Sequence, residues 1–488
     1  MKSKKSKQSK TRFIGREPEL QRLLNLNSKK TASFVVLKGR RRIGKSRLVD
    51  EFSKHFEHYY KFEGLAPDPA TTKASQISEF CRQMAIQFKL PKAHYDDWGD
   101  VFWALGAYLQ TKSKKTLLFF DELSWMGSKD PTLLGKIKYL WDNQLNKNPN
   151  LIFIVCSSAS YWIEENLLSS TAFVGRISLT LRLEELPLEA CKAFWPRNIS
   201  AYEQFKVLSI TGGIPRYLEE IDPKSSAEEN IHKLCFMNGG FLVKEFNSIF
   251  SDLFKRESIF YKKIVNYLKE GPKEQTEIEK YLTKERDSKH LGRLPDYLEE
   301  LLESGFIQRD YTWNLKTRLD SKLSRYRLKD NYLRFYLKYI DKNMSKIERG
   351  LFSFNSLSNL TEWNTVLGLQ FENLVLNNRE KIHQLLKIKS DEIISENPFF
   401  QKKTARNLGC QIDYMIQTKY DCLYICEIKF TKNKIETSII EEVQTKINRL
   451  SKPKSLSCRS VLIHVNGVND EVIESDFFCK IIDFSDLV

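Results

Sequence analysis

The segment Gly39–Arg40–Arg41–Arg42–Ile43–Gly44–Lys45–Ser46 constrains this chain more than any other. It satisfies G-x-x-x-x-G-K-[ST] in the setting that gives the pattern physical meaning: the apolar run Phe34–Leu37 precedes it and a stretch of helical periodicity, Arg47–Phe56, follows. The two glycines let the backbone curl so that successive N–H groups line an anion cradle. The N-terminus of the following helix adds partial positive charge. Lys45 is then placed for the β- and γ-phosphates of ATP, and the Ser46 hydroxyl for Mg²⁺. A strand, a loop and a helix in this order belong to a parallel α/β sheet. Thr116–Phe120 and Leu151–Val155 are further apolar runs that alternate with helical stretches out to about Pro196.

Such a site needs a carboxylate at the end of an adjacent strand, and Thr116–Phe120 ends in Asp121 and Glu122. Asp121 is expected to hold Mg²⁺, directly or through water, and Glu122 to polarise the attacking water as general base. The bland alternative is a pair of acids capping a helix. The third run ends in Ser157 and Ser158; Ser157 is the candidate γ-phosphate sensor, against an ordinary turn serine.

Beyond residue 196 the rhythm changes. Residues 197–255 read as a helical lid, with Gly212–Gly213–Ile214–Pro215 as a turn opening a helix. Residues 256–345 read as three short amphipathic helices, Ile259–Leu268, Gln275–Leu282 and Leu291–Ser304, followed by a hairpin: a winged helix. Its wing, Trp313–Arg327, carries Lys316, Arg318, Lys322, Arg325 and Arg327 against Asp320 alone, so phosphate contact by Lys316 and Arg318 is expected unless the module packs against its own ATPase domain. Residues 346–362 read as a linker and 363–488 as a mixed α/β domain.

Charge refines the choice of partner. The net +16 points to a polyanion, but it is unevenly spread. Residues 1–12 hold six bases and no acid, a disordered tail that is either solvated or in contact with nucleic acid; residues 256–345 hold 20 bases and 15 acids, and residues 364–488 hold 17 of each. The absence of a long apolar run and the scattered cysteines suit a cytoplasmic chain with reduced thiols and no membrane span.

In the last domain Asp413 sits on one apolar run, Gln411–Gln417, and Glu427-Ile428-Lys429 on the next, Cys422–Phe430. Alternation puts Glu427 and Lys429 on one face. Opposite Asp413 across a hairpin, the two carboxylates would bind Mg²⁺ while Lys429 stabilises an activated water for phosphodiester attack. Alternating charge on an exposed strand face is the competing explanation. Gln444, on the helix after these strands, is a weaker candidate.

Phe13-Ile14-Gly15-Arg16-Glu17, the Gly39–Ser46 loop, Phe120-Asp121-Glu122, Val174-Gly175-Arg176 and Gly212–Pro215 together resemble the archaeal and bacterial P-loop ATPase family of the AAA+/STAND group, related to origin-recognition ATPases. The resemblance covers roughly residues 13–345. It implies that Gly15 and Arg16 lie by the adenine, that Pro215 borders the nucleotide, and that Arg176 is an arginine finger or sensor, for which a structural salt bridge is the alternative. It also admits a homo-oligomer. Cys156 departs from the glycine common before the sensor serines. The C-terminal pattern resembles the PD-(D/E)XK nuclease fold, which implies that Glu372 is an additional site acid; the proline usual before the first Asp is replaced by Ile412. The expected architecture is an α/β multidomain chain: a parallel-sheet P-loop ATPase core over 13–196, helical lid, winged helix, and a restriction-endonuclease-like C-terminal domain. Three readings follow: an ATP-controlled enzyme acting on nucleic acid, a STAND-like switch whose C-terminal domain only binds, or a transcription regulator that binds duplex DNA through Leu291–Ser304 without cleaving it.

Overall fold

Aromatic and β-branched residues bounded by turn formers make the strands of the first sheet. They are β1 (Ser33–Gly39), β2 (His58–Glu63), β3 (Thr116–Asp121), β4 (Leu151–Cys156) and β5 (Ile177–Leu183). All pair in parallel in the order β2-β3-β4-β1-β5. In the computed structural model, which describes residues 13–254, 257–285, 288–405 and 407–488, every residue of β1, β3 and β4 is buried, as helices covering both faces require. The basic tail over residues 1–12 lies outside the described residues. Phe34, Phe62, Phe80, Trp98, Phe102, Phe120 and Phe153 form a continuous aromatic core on one side of the sheet.

The chain divides into two compact units between Leu186 and Pro187. In the second, helices Ser258–Leu268, Gln275–Lys284 and Leu294–Glu303 lead into the antiparallel hairpin β6 (Ile307–Trp313) and β7 (Asp320–Leu328). Helix Trp363–Leu376 then precedes the sheet formed by β8 (Ile393–Gln401), β9 (Cys410–Thr418), β10 (Cys422–Phe430), β11 (Ser457–Val465) and β12 (Phe478–Asp483). Strands β8, β9 and β10 are antiparallel neighbours, β10, β11 and β12 are parallel, and helix Ser438–Arg449 makes the crossover from β10 to β11.

The hairpin is part of that second core. Trp313 and Leu315 are buried with Ile412, Met415, Leu423 and Val443. The Trp313 indole N–H donates to Gln417 Oε1 at 2.6 Å, and its ring meets Phe399 edge-on. Arg318 pairs with Asp421 at 3.0 Å, Arg325 lies over the Phe400 ring, and Arg327 is buried against Asp310 and Asn373. With Trp313 anchored in an apolar core the hairpin lies along the C-terminal sheet, where Arg325 and Arg327 have intramolecular partners, while Lys316 and Arg318, the residues expected to meet phosphates, stay exposed. Farther in, fully buried Arg334 donates to Gln370 Oε1 at 2.8 Å on helix Trp363–Leu376. Among the described residues no helix is long and apolar enough to cross a membrane.

Candidate nucleotide site and acidic centre

The Gly39–Ser46 loop leaves the carboxyl end of β1, where parallel sheets bind ligands. Gly39 (φ 148°) admits no side chain, because a Cβ there would stand 2.6 Å from the Leu183 carbonyl oxygen; Gly44 (φ 94°) caps helix Lys45–Ser53 in the left-handed region. Arg42 is left-handed too (φ 71°), and Ile43 is buried beneath the loop. Lys45 Nζ donates to the carbonyls of Gly39 (2.8 Å) and Arg40 (3.2 Å), so its ammonium already lies inside the curl. Arg40 is buried and Arg41 half-buried.

Strand order brings the next groups in. Because β4 lies between β1 and β3, with Leu37 opposite Cys156 and Phe120 opposite Val155, the ends of all three strands meet at the loop. Ser46 Oγ donates to Asp121 Oδ2 at 2.7 Å and the Cys156 thiol donates to Asp121 Oδ1 at 2.9 Å. Lys61 Nζ, from β2, stands 2.9 Å from the same Oδ2. Burial pushes the Asp121 pKa up, but Lys61 and the bonds from Cys156 and Ser46 outweigh it and hold the carboxyl below its ordinary range. Glu122 behaves oppositely. Burial raises its pKa, and Lys45 with the bonds from Ser158 only partly offsets that. Its backbone is left-handed (φ 53°), a strained setting for a non-glycine residue. Two adjacent carboxyls thus have pKa values moved apart, an anionic one beside Ser46 and a more basic one beyond it.

Ser157 Oγ is 2.6 Å from Ser124 Oγ, whereas Ser158, passed over in the sequence, binds Glu122 through both its N–H (2.8 Å) and its hydroxyl (2.9 Å). Arg16, after Gly15 (φ 71°), is buried and donates to the Ile43 carbonyl at 3.1 Å, which ties this segment to the phosphate loop. Pro215 opens the short helix Pro215–Leu218 of the second unit.

Arg176 is not brought to this set. It immediately precedes β5, whose Ile177 pairs with Phe34 at the start of β1, while the loop leaves β1 at Gly39, opposite Leu183. At about 3.3 Å per residue it lies roughly 20 Å from the cradle. Its guanidinium is also held by Asp142 through two bonds of 2.7 and 2.9 Å. Contact with the γ-phosphate within one chain is thereby corrected to a structural ion pair.

In the second unit Asp413, Glu427, Lys429 and Glu372 do converge. Glu427, 1% exposed, accepts from Lys429 at 3.0 Å and Lys446 at 2.5 Å; Lys446 is also 3.9 Å from Asp413, whose Oδ2 accepts the Ile428 N–H at 2.9 Å. Glu442 completes the cluster, 2.8 Å from Lys429. Burial, then Glu372, pushes Asp413 up to about 6; burial, then Asp413, pushes Glu427 up to about 7. Burial likewise raises Glu372 against the pull of Arg327 and Arg334. Lys446 and Glu442 were missed although their i, i+4 spacing marks one helix face. Gln444 belongs to another face and bonds Asn448 at 2.8 Å. The carboxylate oxygens suit a hard cation in type, yet the Lys446 ammonium lies against both acids. Among the described residues no group of three or more His, Cys, Asp or Glu is disposed to hold a metal.

Residues 13–221 match a family described as an ATPase domain predominantly from Archaea. An uncharacterized protein of Methanocaldococcus jannaschii is 28% identical over 74% of this chain and 75% of its own length. Among solved structures, a Walker-type ATPase of Pyrococcus abyssi is similar over 67% of this chain and 96% of its own, at 18% identity and TM-score 0.47. The Aeropyrum pernix ORC2 protein, solved as ADPNP–ADP complexes, is similar over 70% and 98%, at 12% identity and TM-score 0.40.

Proposed function

With a P-loop ATPase domain over residues 13–221 as the premise, we propose that the chain is a Mg²⁺-dependent ATPase that acts on nucleic acid, with Asp413, Glu427 and Lys429 forming a phosphodiester-cleaving centre. Ser46 Oγ and Asp121 Oδ2, 2.7 Å apart, offer the hard oxygens that Mg²⁺ takes, and the ion when bound neutralises charge on the phosphates. Lys45 holds the β- and γ-phosphates. Glu122, the more basic carboxylate and fixed by Ser158, accepts the proton of the attacking water. We assign the second unit, in chain order, to a helical lid, a winged helix and a PD-(D/E)XK-like domain.

One observation carries the nuclease-like reading: two strands and two helices bring Glu372, Asp413, Glu427, Lys429 and Lys446 into one cluster, half-buried around a buried Glu427, with raised carboxyl pKa values. Perturbed acids paired with lysines characterise catalytic sites more than strand surfaces. Were a divalent cation bound here, Glu427 and Asp413 would hold it and it would supply an activated water, with Lys429 placed to neutralise charge on the phosphate and Lys446, now 2.5 Å from Glu427, as the contact that it would replace.

Lys446 also favours a second reading. An ammonium already seated between the acids, together with a hairpin whose Trp313 is buried in the C-terminal core, suits an ATP-governed switch whose C-terminal domain only binds a partner. The discriminating experiment incubates the protein with labelled single- and double-stranded DNA and RNA, with and without ATP and Mg²⁺, alongside Lys45→Ala and Glu427→Ala. Cleavage lost in both variants supports the ATP-controlled nuclease. Nucleotide-dependent self-association, unchanged by Glu427→Ala and without cleavage, supports the switch.

A further inference from the structure

The second unit contains a cleft of about 740 Å³ that reaches the acidic centre. Tyr202 and Lys206 of helix Ala201–Thr211 form one wall, residues 356–358 and the start of helix Trp363–Leu376 another, and the loop after β10 a third. Lys429 and Glu442 close its inner edge, and both belong to the ion-pair cluster around Glu427. Whatever enters the cleft therefore ends beside Lys429.

The electrostatics of the walls indicate the occupant's charge. Each lining carboxylate already has a donor: Glu228 accepts the Leu357 N–H at 2.8 Å, Glu436 accepts from the Asn469 amide at 2.6 Å, and Glu442 accepts from Lys429. Lys432 and Lys434, by contrast, are exposed, and neither forms an ion pair among the described residues. The lining holds four lysines against three glutamates: Lys206 pairs with Glu228 at 3.6 Å and Lys429 with Glu442 at 2.8 Å, which leaves Lys432 and Lys434 against Glu436 and a surplus of one positive charge at the loop after β10, where an anion is favoured. Its aromatic floor is already engaged, since Tyr202 stacks on Phe430 at 5.6 Å under the Lys206 ammonium. Grip on a ligand is thus electrostatic and indifferent to base identity.

Size narrows the class further. A volume of about 740 Å³ is that of a small-ligand cleft and suits one or two nucleotide units rather than the breadth of a duplex.

We propose that this cleft takes a single strand of nucleic acid, its phosphodiesters held by Lys432 and Lys434 and led to Lys429 at the edge of the acidic centre. The proposal rests on reading that centre as a phosphodiesterase and adds the form of its substrate. The grip itself is testable without turnover.

The test measures fluorescence anisotropy of labelled 12-nucleotide DNA and RNA strands and of a 20-base-pair duplex, using full-length Glu427→Gln to prevent cleavage. The same measurement is made after adding Lys432→Glu and Lys434→Glu, and separately Lys432→Met and Lys434→Met, with thermal melting and ATPase rate as folding controls. Single strands should bind at least tenfold tighter than the duplex, and the charge reversals should weaken them at least tenfold. The neutral pair should make the dependence of log affinity on log salt shallower by about 1.4. DNA against RNA identifies the natural strand. Tighter duplex binding, unchanged affinity in both lysine pairs, or displacement by oligoglutamate as effective as by an oligonucleotide of equal charge overturns the inference. Strand binding through the lysines without cleavage by wild-type protein retains the cleft and removes the phosphodiesterase; cleavage of duplex and strand alike, unaltered by the lysine changes, does the reverse.

Discussion

Neutralising Glu427 should stabilise the protein at alkaline pH, because the acidic centre holds carboxylates where their charge is disfavoured. Glu427 is 1% exposed and its pKa rises from an ordinary 4.5 to about 7. A folded-state pKa above the unfolded value means that folding takes up protons. The contribution is therefore fully present below about pH 4.5 and lost as pH rises through 7. Ionisation in the folded state costs about 3 kcal/mol relative to the unfolded chain. Glu427→Gln removes that cost at pH 8 but takes one anionic partner from each of Lys446 and Lys429, so about half, 1 to 2 kcal/mol, is a realistic gain. For a unit of this size that raises the melting temperature by roughly 2–3 °C. The assay is thermal unfolding of wild type and Glu427→Gln at pH 8 and pH 4.5 in EDTA, followed by fluorescence in the second unit. The variant should melt higher at pH 8 and within about 1 °C of wild type at pH 4.5. Added Mg²⁺ at pH 8 should close the gap from the wild-type side. A variant that melts lower at pH 8, or a gap equal at both pH values, refutes the account of burial given for this centre.

Glu122→Gln should retain nucleotide binding, measured with a fluorescent ATP analogue, while phosphate release falls about 100-fold or more; Ser158→Ala should reproduce part of that loss. Arg176→Ala and Asp142→Ala should each leave ATPase turnover of the isolated chain within about twofold and cost no more than about 1 kcal/mol in urea unfolding, and a large turnover loss for Arg176→Ala alone would contradict its placement. Trp313→Ala should destabilise the second unit by about 3–5 kcal/mol in urea unfolding.

The legible parts of this chain were those governed by local rules. Loop Gly39–Ser46 and the acids Asp121 and Glu122 followed from strand ends and glycine spacing, and Asp413, Glu427 and Lys429 from strand alternation. What escaped depended on strand order and on faces. Lys61 reaches Asp121 only because β2 neighbours β3, and no pattern in His58–Glu63 says which strand it joins. Ser157 and Ser158 follow the same strand, so periodicity alone could not say which one meets Glu122. Arg176 looked suited to a phosphate until its place at the start of β5 put the length of a strand between them. Wing residues Arg318 and Arg325 have the composition of a phosphate-binding surface, and Trp313 beside them was the overlooked sign of an inward-facing hairpin.

That hairpin has a consequence for how such a chain can be taken apart or recombined. Since Trp313 and Leu315 complete the core that Ile412 and Leu423 begin, a break at the junction before residue 363 would leave an indole stripped of its pocket on one fragment and an apolar hollow on the other. Each piece would tend to aggregate or to find its counterpart. The module and the sheet should therefore be inherited together, and expressing the acidic centre in soluble form should require starting upstream of the hairpin.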